Sequence, residues 1–309
     1  MQLRHLLCAA LATTPLIASA QSIVNDTWAD GNRTSSGPDG AGIDSAWHAS
    51  SGAANTVPAA GDMRWAIGAG SLFNTTYFPS SVSPFGPQSV TLANPGDQLR
   101  VKWVFSLTGV NAANANQNFL IAVANTPGAH VATDASPASE AYLGYSSFIN
   151  METGNFGNTG LALKEWILGT GVNGNLLGTS GNWGANGAAG NLATAGTSGT
   201  LAGWENGVNY TYTMTLTLGN SGDLLINNTI TGGTTLNGNG TLSVSADDTS
   251  PNTLTFDTFG VREGTSSATA TQFDTSLFQV DFVTPEPSTF ALAIMGTLSL
   301  GLGWRRFRR

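Results

Sequence analysis

The chain is poor in cysteine, histidine and charge. Of its 309 residues, one is cysteine, three are histidine and 10% are charged. The single cysteine, Cys8, excludes an internal disulfide and a metal site built from several cysteines. The low charge content is atypical of coiled coils and of charge-rich disordered chains. The net charge of −8 argues against nucleic acid as a partner, because phosphate binding needs clustered lysine and arginine.

The familiar catalytic patterns are also missing. The sequence has no HExxH zinc motif, no GxSxG nucleophile motif and no phosphate-binding loop. Glycosidases need a pair of carboxyl groups at a defined separation. The five glutamates between residues 21 and 284 have no second acid two or three positions away. The sequence therefore assigns no catalytic residue and favours a protein that is not an enzyme.

The charges divide unevenly along the chain. Residues 21–284 contain six basic and eighteen acidic side chains, which leaves a net charge of about −12. Such a body is expected to stay soluble, to repel acidic polymers and to attract cations such as calcium. The other five basic residues lie near the two ends: Arg4, Arg305, Arg306, Arg308 and Arg309.

The first twenty residues have the order of features found in secretory signal peptides. Arg4 and His5 precede a mostly apolar run at 6–17, and small residues at Ala18 and Ala20 form an A-x-A cleavage site. We expect signal peptidase to cut after Ala20, which also removes Cys8. A buried first helix is the alternative interpretation.

The C-terminal segment combines a short motif, an apolar run and a basic cluster. Pro285, Glu286 and Pro287 precede fifteen mostly apolar residues at 290–304. As a helix this run is about 22 Å long, which is short for an ordinary span of about 20 residues. The cluster Arg305, Arg306, Arg308 and Arg309 is expected to remain on the cytoplasmic side. This order predicts a transmembrane helix that holds the exported body transiently at the inner membrane.

These features resemble the PEP-CTERM sorting signal of Gram-negative bacteria. The Pro-Glu-Pro of that signal matches 285–287, and the Ser-Thr-Phe that often follows it matches 288–290. The resemblance implies recognition by an exosortase, a membrane protease-transpeptidase that cuts near the motif. The body would then reach the cell surface or the extracellular polysaccharide matrix. A plain tail anchor is the alternative.

The body between these ends shows strand and turn patterns. Apolar and threonine residues alternate strictly at 210–218, and the turn at 219–222 leads into a returning strand at 223–230. Further strands are predicted at 101–107, 119–124, 141–148, 161–168, 241–245, 253–261 and 276–283. The segment 161–168 could also form a short helical turn. The segment 169–203 is predicted to be a loop.

The order of the late strands resembles the concanavalin A-like jelly rolls of bacterial secreted proteins. The segment Phe256-Asp257-Thr258-Phe259-Gly260-Val261-Arg262 also fits a late jelly-roll strand. The resemblance implies an all-β fold, an antiparallel jelly-roll β-sandwich. We therefore expect a signal peptide at 1–20, one β-sandwich body at 21–283 and a sorting segment at 284–309.

Oxygen-bearing side chains near the start of the body suggest a calcium site. Asp26, Asp30 and Asn32 follow one another closely around a glycine, and such oxygens suit calcium. Jelly-roll modules often hold calcium between the chain start and the last strand, which here carries Asp281. The alternative is a set of Asx turns, in which these side chains cap the local backbone.

Tryptophans near predicted loops are candidates for stacking on sugar rings. Trp65, Trp183 and Trp204 are the residues placed best for this. Each of them could equally pack into the interior. The sequence thus predicts an exported, exosortase-processed surface protein with a carbohydrate-binding or structural sandwich. A polysaccharide hydrolase or lyase on the same fold is the alternative.

Overall fold

The structure is a computed structural model that describes the chain in fourteen segments. These are residues 19–34, 43–49, 53–67, 73–78, 88–110, 118–126, 130, 133–134, 142–150, 161–166, 191–195, 203–233, 240–262 and 270–285. The chain divides into one unit of Met1–Ala20 with Thr284–Arg309 and a second unit of Gln21–Val283. The predicted membrane helix at 290–304 and most of the predicted signal peptide lie outside the described residues.

The described part of the chain forms seventeen β-strands and contains no helix. The first nine are β1 Ser19–Asp26, β2 Trp47–Ala49, β3 Ala53–Ala59, β4 Asp62–Ile67, β5 Phe73–Tyr77, β6 Val90–Thr91, β7 Gln98–Thr108, β8 Asn118–Asn125 and β9 Leu143–Asn150. The remaining eight are β10 Leu161–Glu165, β11 Asn191–Ala195, β12 Asn209–Leu218, β13 Leu224–Gly232, β14 Thr241–Asp248, β15 Thr255–Phe256, β16 Thr258–Arg262 and β17 Gln272–Thr284.

The strands form two large sheets and one small sheet. The first sheet has the order β14-β13-β12-β7-β17-β4-β3, and β1 also pairs with β17. The second sheet has the order β11-β10-β9-β8-β16-β5-β2, while β6 and β15 form the small sheet. Neighbouring strands along these orders run antiparallel. The predicted all-β, antiparallel jelly-roll sandwich is confirmed.

Alternation along the strands explains how the first sheet buries one face, whereas central strands of the second sheet are buried on both faces. In β12, Tyr210, Tyr212 and Met214 are fully buried, whereas the intervening threonines are partly exposed. Successive strand residues point to opposite faces, so one strict alternation builds a wet face and a dry face. The predicted hairpin is confirmed, because β12 pairs with β13 from Tyr210 to Leu218.

Aromatic side chains fill the middle of the interior. Trp103 of the first sheet stacks on Phe105, with ring centroids 3.9 Å apart, and contacts Phe119 and Phe259 of the second sheet. Trp47 lies edge-on to Phe259 and Phe278. These rings join the sheets through large buried areas and favourable edge-to-face contacts.

The structure corrects one prediction along the chain and selects between two alternatives for another. The loop predicted at 169–203 contains the strand Asn191–Ala195, which pairs with β10 and packs Leu192 against the core. Glycine, alanine and threonine around it gave too weak a pattern to reveal a strand that its neighbour stabilises. The segment Leu161–Glu165 is a strand, so its described part is not the helical turn that was the alternative.

Candidate functional site

Two acidic side chains from different sheets meet inside the sandwich. In β10, Leu161 and Leu163 face the core, and Glu165 lies two residues further along the same face. In β14, Leu242 and Val244 face the core, and Asp248 has the same parity at the end of that strand. Period-two alternation therefore points both carboxyl groups inward.

Hydrogen bonds fix the geometry of this acid pair. The carboxyl group of Asp248 lies close enough to that of Glu165 to act on its pKa. The Tyr145 hydroxyl donates to Asp248 Oδ2 at 2.7 Å. The backbone N–H of Ser250 donates to Asp248 Oδ1 at 3.0 Å, and that of Asn252 donates to Glu165 Oε1 at 2.9 Å. We refer to Tyr145, Glu165, Asp248 and Asn252 as the inter-sheet acid site.

The surroundings of Glu165 favour its protonated form. Burial raises the pKa of Glu165 to about 7, and the charge of Asp248 adds to that rise. The Asn252 N–H acts in the opposite direction. At neutral pH a large fraction of molecules therefore keeps a proton on Glu165. Burial and Asp248 also raise the pKa of Tyr145, which keeps this hydroxyl a neutral donor.

The acid site suits a link between the sheets better than sugar cleavage. A half-buried carboxyl group with a pKa near neutrality has the acidity of a proton donor. However, the Tyr145 hydroxyl and the Ser250 N–H already bind Asp248, and the Asn252 N–H binds Glu165. The pair instead ties the 248–252 turn to β10, because the Asn252 side chain also donates to the Trp166 carbonyl at 3.0 Å.

Sequence reasoning missed this pair because it searched for acids close together on one strand. Glu165 and Asp248 lie on strands of different sheets. The available signal was parity. Each acid occupies a position at which the alternation of its own strand requires an inward side chain.

A second polar contact crosses the interior beside the acid site. The hydroxyl groups of Ser147 and Tyr212 lie 2.9 Å apart, and the Asn228 side chain donates to Ser147 Oγ. All three residues are buried. Each of these residues places polar atoms in the interior, although leucine, isoleucine or methionine occupies neighbouring inward positions. This end of the interior is therefore polar even though it is closed to solvent.

A histidine-aspartate contact lies on the other side of the second sheet. His130 Nε2 lies 3.2 Å from Asp257 Oδ2, and the His130 ring lies edge-on to Tyr77. The nearby hydroxyls of Thr126 and Thr258 bond to each other, and Thr258 also donates to Asp257. Among the described residues, no hydroxyl is paired with His130 itself. This contact does not form a nucleophile-histidine-acid triad.

The predicted calcium ligands near the chain start form hydrogen-bonded turns. Asp26 is buried, and it accepts bonds from the Trp28 N–H at 2.8 Å, the Ser45 N–H at 2.9 Å and the Ser45 hydroxyl at 2.7 Å. Burial raises its pKa. Asp30 accepts from the Asn32 N–H at 2.9 Å. Asn32 in turn accepts from the Thr34 N–H at 3.0 Å. This pattern matches the Asx-turn alternative.

Asp281, the expected far ligand, lies on the strand expected for it. Asp281 belongs to β17, which pairs with the β1 strand that carries Asp26. Its Oδ2 accepts a bond from Gln279 at 2.9 Å. Within the described segments, no group of three or more acidic, histidine or cysteine side chains is arranged to hold a metal ion. The structure thus brings the two strands together but does not gather the four side chains into a coordination shell.

The two described candidate tryptophans are interior residues. Trp65 is 1% exposed and packs 5.1 Å from Phe273. Trp204 is fully buried, with its ring 4.7 Å from that of Tyr210. Neither presents a face on which a sugar could stack, so the packing alternative describes both. Trp183 lies outside the described residues.

The sorting motif begins where the sandwich ends. Thr284 is the last residue of β17, and Thr284 and Pro285 are exposed. Proline has no backbone N–H to donate to a neighbouring strand, which is consistent with the end of β17 at this position. Glu286, Pro287 and the four terminal arginines lie outside the described residues, as does Ala18. Ala20 is exposed within β1. No helix of the described residues is long and apolar enough to cross a membrane.

Comparison with solved structures finds lectin-like sandwiches at low similarity. The Emp47p carbohydrate recognition domain is 11% identical, with 86% of this chain and 96% of that chain covered and a TM-score of 0.46. Arcelin-5, a lectin-like defense protein from Phaseolus vulgaris, is 11% identical over 77% and 92% of the two chains, with a TM-score of 0.40. The Lotus tetragonolobus seed lectin is 11% identical over 86% and 100%, with a TM-score of 0.44.

Comparison by sequence locates one family at the C-terminus. No curated protein matches this chain. Residues 283–309 match the family model of the PEP-CTERM protein-sorting motif. That stretch begins within the last two residues of β17 and covers Pro285, Glu286, Pro287 and the terminal arginines. The chain therefore carries a PEP-CTERM protein-sorting motif, joined without a spacer to the last strand of its β-sandwich.

Proposed function

We propose that this chain is an exported surface protein that an exosortase releases at residues 285–287. Its β-sandwich body then serves as a structural or carbohydrate-binding component of the extracellular polysaccharide matrix. The match of 283–309 to the sorting motif is the observation that carries this proposal. Signal peptidase would first cut after Ala20, and the tail would hold the body at the inner membrane until cleavage.

The exposed junction at Thr284 and Pro285 supports processing of the folded body. A membrane protease needs an accessible, extended backbone, and the chain leaves β17 at an exposed residue that is followed by proline. Cleavage after the strand would leave every hydrogen bond between β17 and β7 in place. The body is therefore expected to stay folded after release.

The test is expression of the full chain in a Gram-negative host that has an exosortase and in the same host without that enzyme. We expect loss of the C-terminal segment and release from the inner membrane only when the exosortase is present. A Pro285→Ala/Glu286→Ala/Pro287→Ala variant should remain full length in the membrane fraction. Pro251→Ala, which changes a proline in a turn of the body, is the matched control.

Identical processing of wild type and the triple variant would contradict the proposal. A chain that remains in the membrane in both hosts would identify the tail as a plain anchor. These outcomes are read by mass spectrometry of the C-terminus and by fractionation. They do not depend on any ligand of the body.

Polysaccharide cleavage, by a hydrolase or a lyase reaction, is the second candidate function, with Glu165 as the proton donor. The raised pKa of this half-buried carboxyl group favours it. A screen of neutral and acidic polysaccharides with the purified chain tests it. Turnover that is lost in Glu165→Gln and retained in Asp281→Asn would support the enzyme. Absence of turnover on every substrate would favour the matrix protein.

A structural calcium ion at Asp26, Asp30, Asn32 and Asp281 remains part of this proposal. Binding would require the Asx turns at Asp26 and Asp30 to exchange backbone donors for the ion. Thermal unfolding with calcium and with chelator tests it. A melting temperature that rises with calcium in wild type but not in Asp30→Ala would support the site, and unchanged melting would exclude it.

A further inference from the structure

The outer face of strands β12, β13 and β14 is an open array of hydroxyl groups. Where these three strands pair with one another, twelve side chains alternate away from the core, and nine of them are threonine or serine. We call these twelve residues the hydroxyl face: Thr211, Thr213, Thr215, Thr217, Leu225, Asn227, Thr229, Thr231, Thr241, Ser243, Ser245 and Asp247. All of them are partly or fully exposed.

Strand register arranges these side chains in rows. Thr213 is opposite Thr229, which is opposite Ser243. Two residues further along the sheet, Thr215, Asn227 and Ser245 form the next row. Neighbouring strands lie about 4.8 Å apart and same-face residues about 6.7 Å apart, so four rows cover roughly 20 Å by 10 Å. The hydroxyl face is thus a regular two-dimensional grid.

Much of this polar capacity is unused by the protein. Thr217 accepts a bond from Gln98, and Thr229 donates weakly to Ser243 at 3.4 Å. In the described part of the chain, the hydroxyls of Thr213 and Thr215 make no side-chain hydrogen bond. Their donors and acceptors face solvent and are available to a partner.

Charge narrows the chemistry of that partner. The body has a net charge of about −12, yet Asp247 is the only charged member of the hydroxyl face. On the adjoining strand β7, Lys102 is opposite Thr213 and Arg100 is opposite Thr215, and Arg100 is also opposite Asp281 of β17. An acidic polymer could meet these two cations only along one edge of the face, and the net negative charge of the body would repel it elsewhere. A neutral polymer with repeating hydroxyl groups matches the face in both charge and hydrogen-bonding groups.

We propose that the hydroxyl face binds a neutral, extended polysaccharide through rows of threonine and serine hydroxyl groups. This rests on the proposed function, which delivers the body to extracellular polysaccharide, and it assigns the contact to a named surface. Each hydrogen bond between the face and the polymer replaces hydrogen bonds to water, so its net gain is small. Many such bonds along one polymer chain add up by multivalency. No aromatic platform is needed.

The test measures retention of the purified full chain on microcrystalline cellulose, with polygalacturonate as the acidic counterpart. Wild type should bind cellulose and not polygalacturonate. Thr213→Val/Thr215→Val removes two hydroxyls while keeping side-chain shape and strand preference, and it should bind roughly tenfold more weakly. Thr91→Val/Thr255→Val is the matched control, because that exposed cross-strand pair lies on the small sheet.

Three results would overturn the inference. Equal binding by the two double variants and wild type would place any polysaccharide contact elsewhere, while exosortase processing would remain as proposed. Tighter binding to polygalacturonate would contradict the charge argument. If Thr213→Val/Thr215→Val lost cellulose binding and also sedimented more slowly than wild type, that result would identify the face as a contact between copies of this chain. Melting temperatures of all variants exclude unfolding as the cause.

Discussion

The interior of the sandwich has an aromatic region and a polar region, and the two hold the sheets together differently. Four aromatic rings contact Trp103, with centroid distances from 3.9 to 6.2 Å. Around Asp248, the Tyr145 hydroxyl and the Ser250 N–H donate to its carboxyl group, and the Asn252 N–H donates to the neighbouring Glu165. Both regions lie between the same two sheets.

The difference lies in what each region tolerates. Aromatic packing is non-directional and scales with buried area, so any large loss of volume is costly and pH has no effect. Buried polar groups contribute little net energy when satisfied, but they cost much when one partner is removed. The aromatic region should therefore determine stability, while the polar region should determine how stability responds to pH.

The largest expected effect is on the aromatic side. Trp103→Ala should lower the free energy of unfolding by about 3–5 kcal/mol, because it empties the centre of the ring cluster. Leu225→Ala removes an exposed side chain of the same sheet and should change it by less than about 0.5 kcal/mol. Denaturant titration measures both. A loss below that of the Leu225 control would show that the rings do not hold the sheets together.

Tyr145→Phe should have the next largest effect. It removes the donor to Asp248 Oδ2 and leaves that buried oxygen without its partner, at a cost of about 1–3 kcal/mol. A double-mutant cycle with Asp248→Asn is the measurement. If the two losses simply add, the contact itself contributes nothing and the tyrosine acts by packing alone.

Glu165→Gln should change the pH dependence more than the stability itself. The pKa of Glu165 is raised from 4.5 to about 7 in the fold. Its contribution is therefore complete below pH 4.5 and is lost as pH rises through about 7. The neutral variant cannot lose a proton there, so its melting temperature relative to wild type should rise between these pH values.

Matched melting curves at pH 4.5 and pH 8 provide this comparison. Asp281→Asn is the control, because Asp281 lies on β17 and does not take part in the acid site. The charge that acts on Glu165 is that of Asp248, which also acts on Asp247. If the melting temperatures of wild type and Glu165→Gln changed equally between the two pH values, the proton assigned to Glu165 would be refuted.

The smallest expected effect is that of an ion pair outside the core. Arg64 Nε donates to Asp274 Oδ1 at 2.8 Å, and both side chains are partly exposed. Arg64→Met should cost about 0–1 kcal/mol and less in high salt, because exposed charges are well solvated without each other. If Arg64→Met lowered the free energy of unfolding as much as Tyr145→Phe does, solvent exposure would not explain the difference between the surface ion pair and the buried hydrogen bond.

Individual residues show how far sequence patterns reached. The alternation from Tyr210 to Leu218 predicted both the strand and its buried face, because period two is a local property. The same pattern failed for Asn191–Ala195, whose strand depends on pairing with β10. Trp65 and Trp204 looked suitable for sugar stacking only because sequence does not reveal which long-range neighbours enclose a ring.

The sequence by itself determined the all-β class, the central hairpin and the C-terminal sorting motif at 283–309. Each of these is encoded in neighbouring residues, as alternation, turn residues or a contiguous motif. Only the tertiary structure brought Glu165 to Asp248 and aligned the threonines of β12 with the hydroxyl residues of β13 and β14. Those contacts depend on strand order and register, which follow from the packing of the whole core rather than from local sequence.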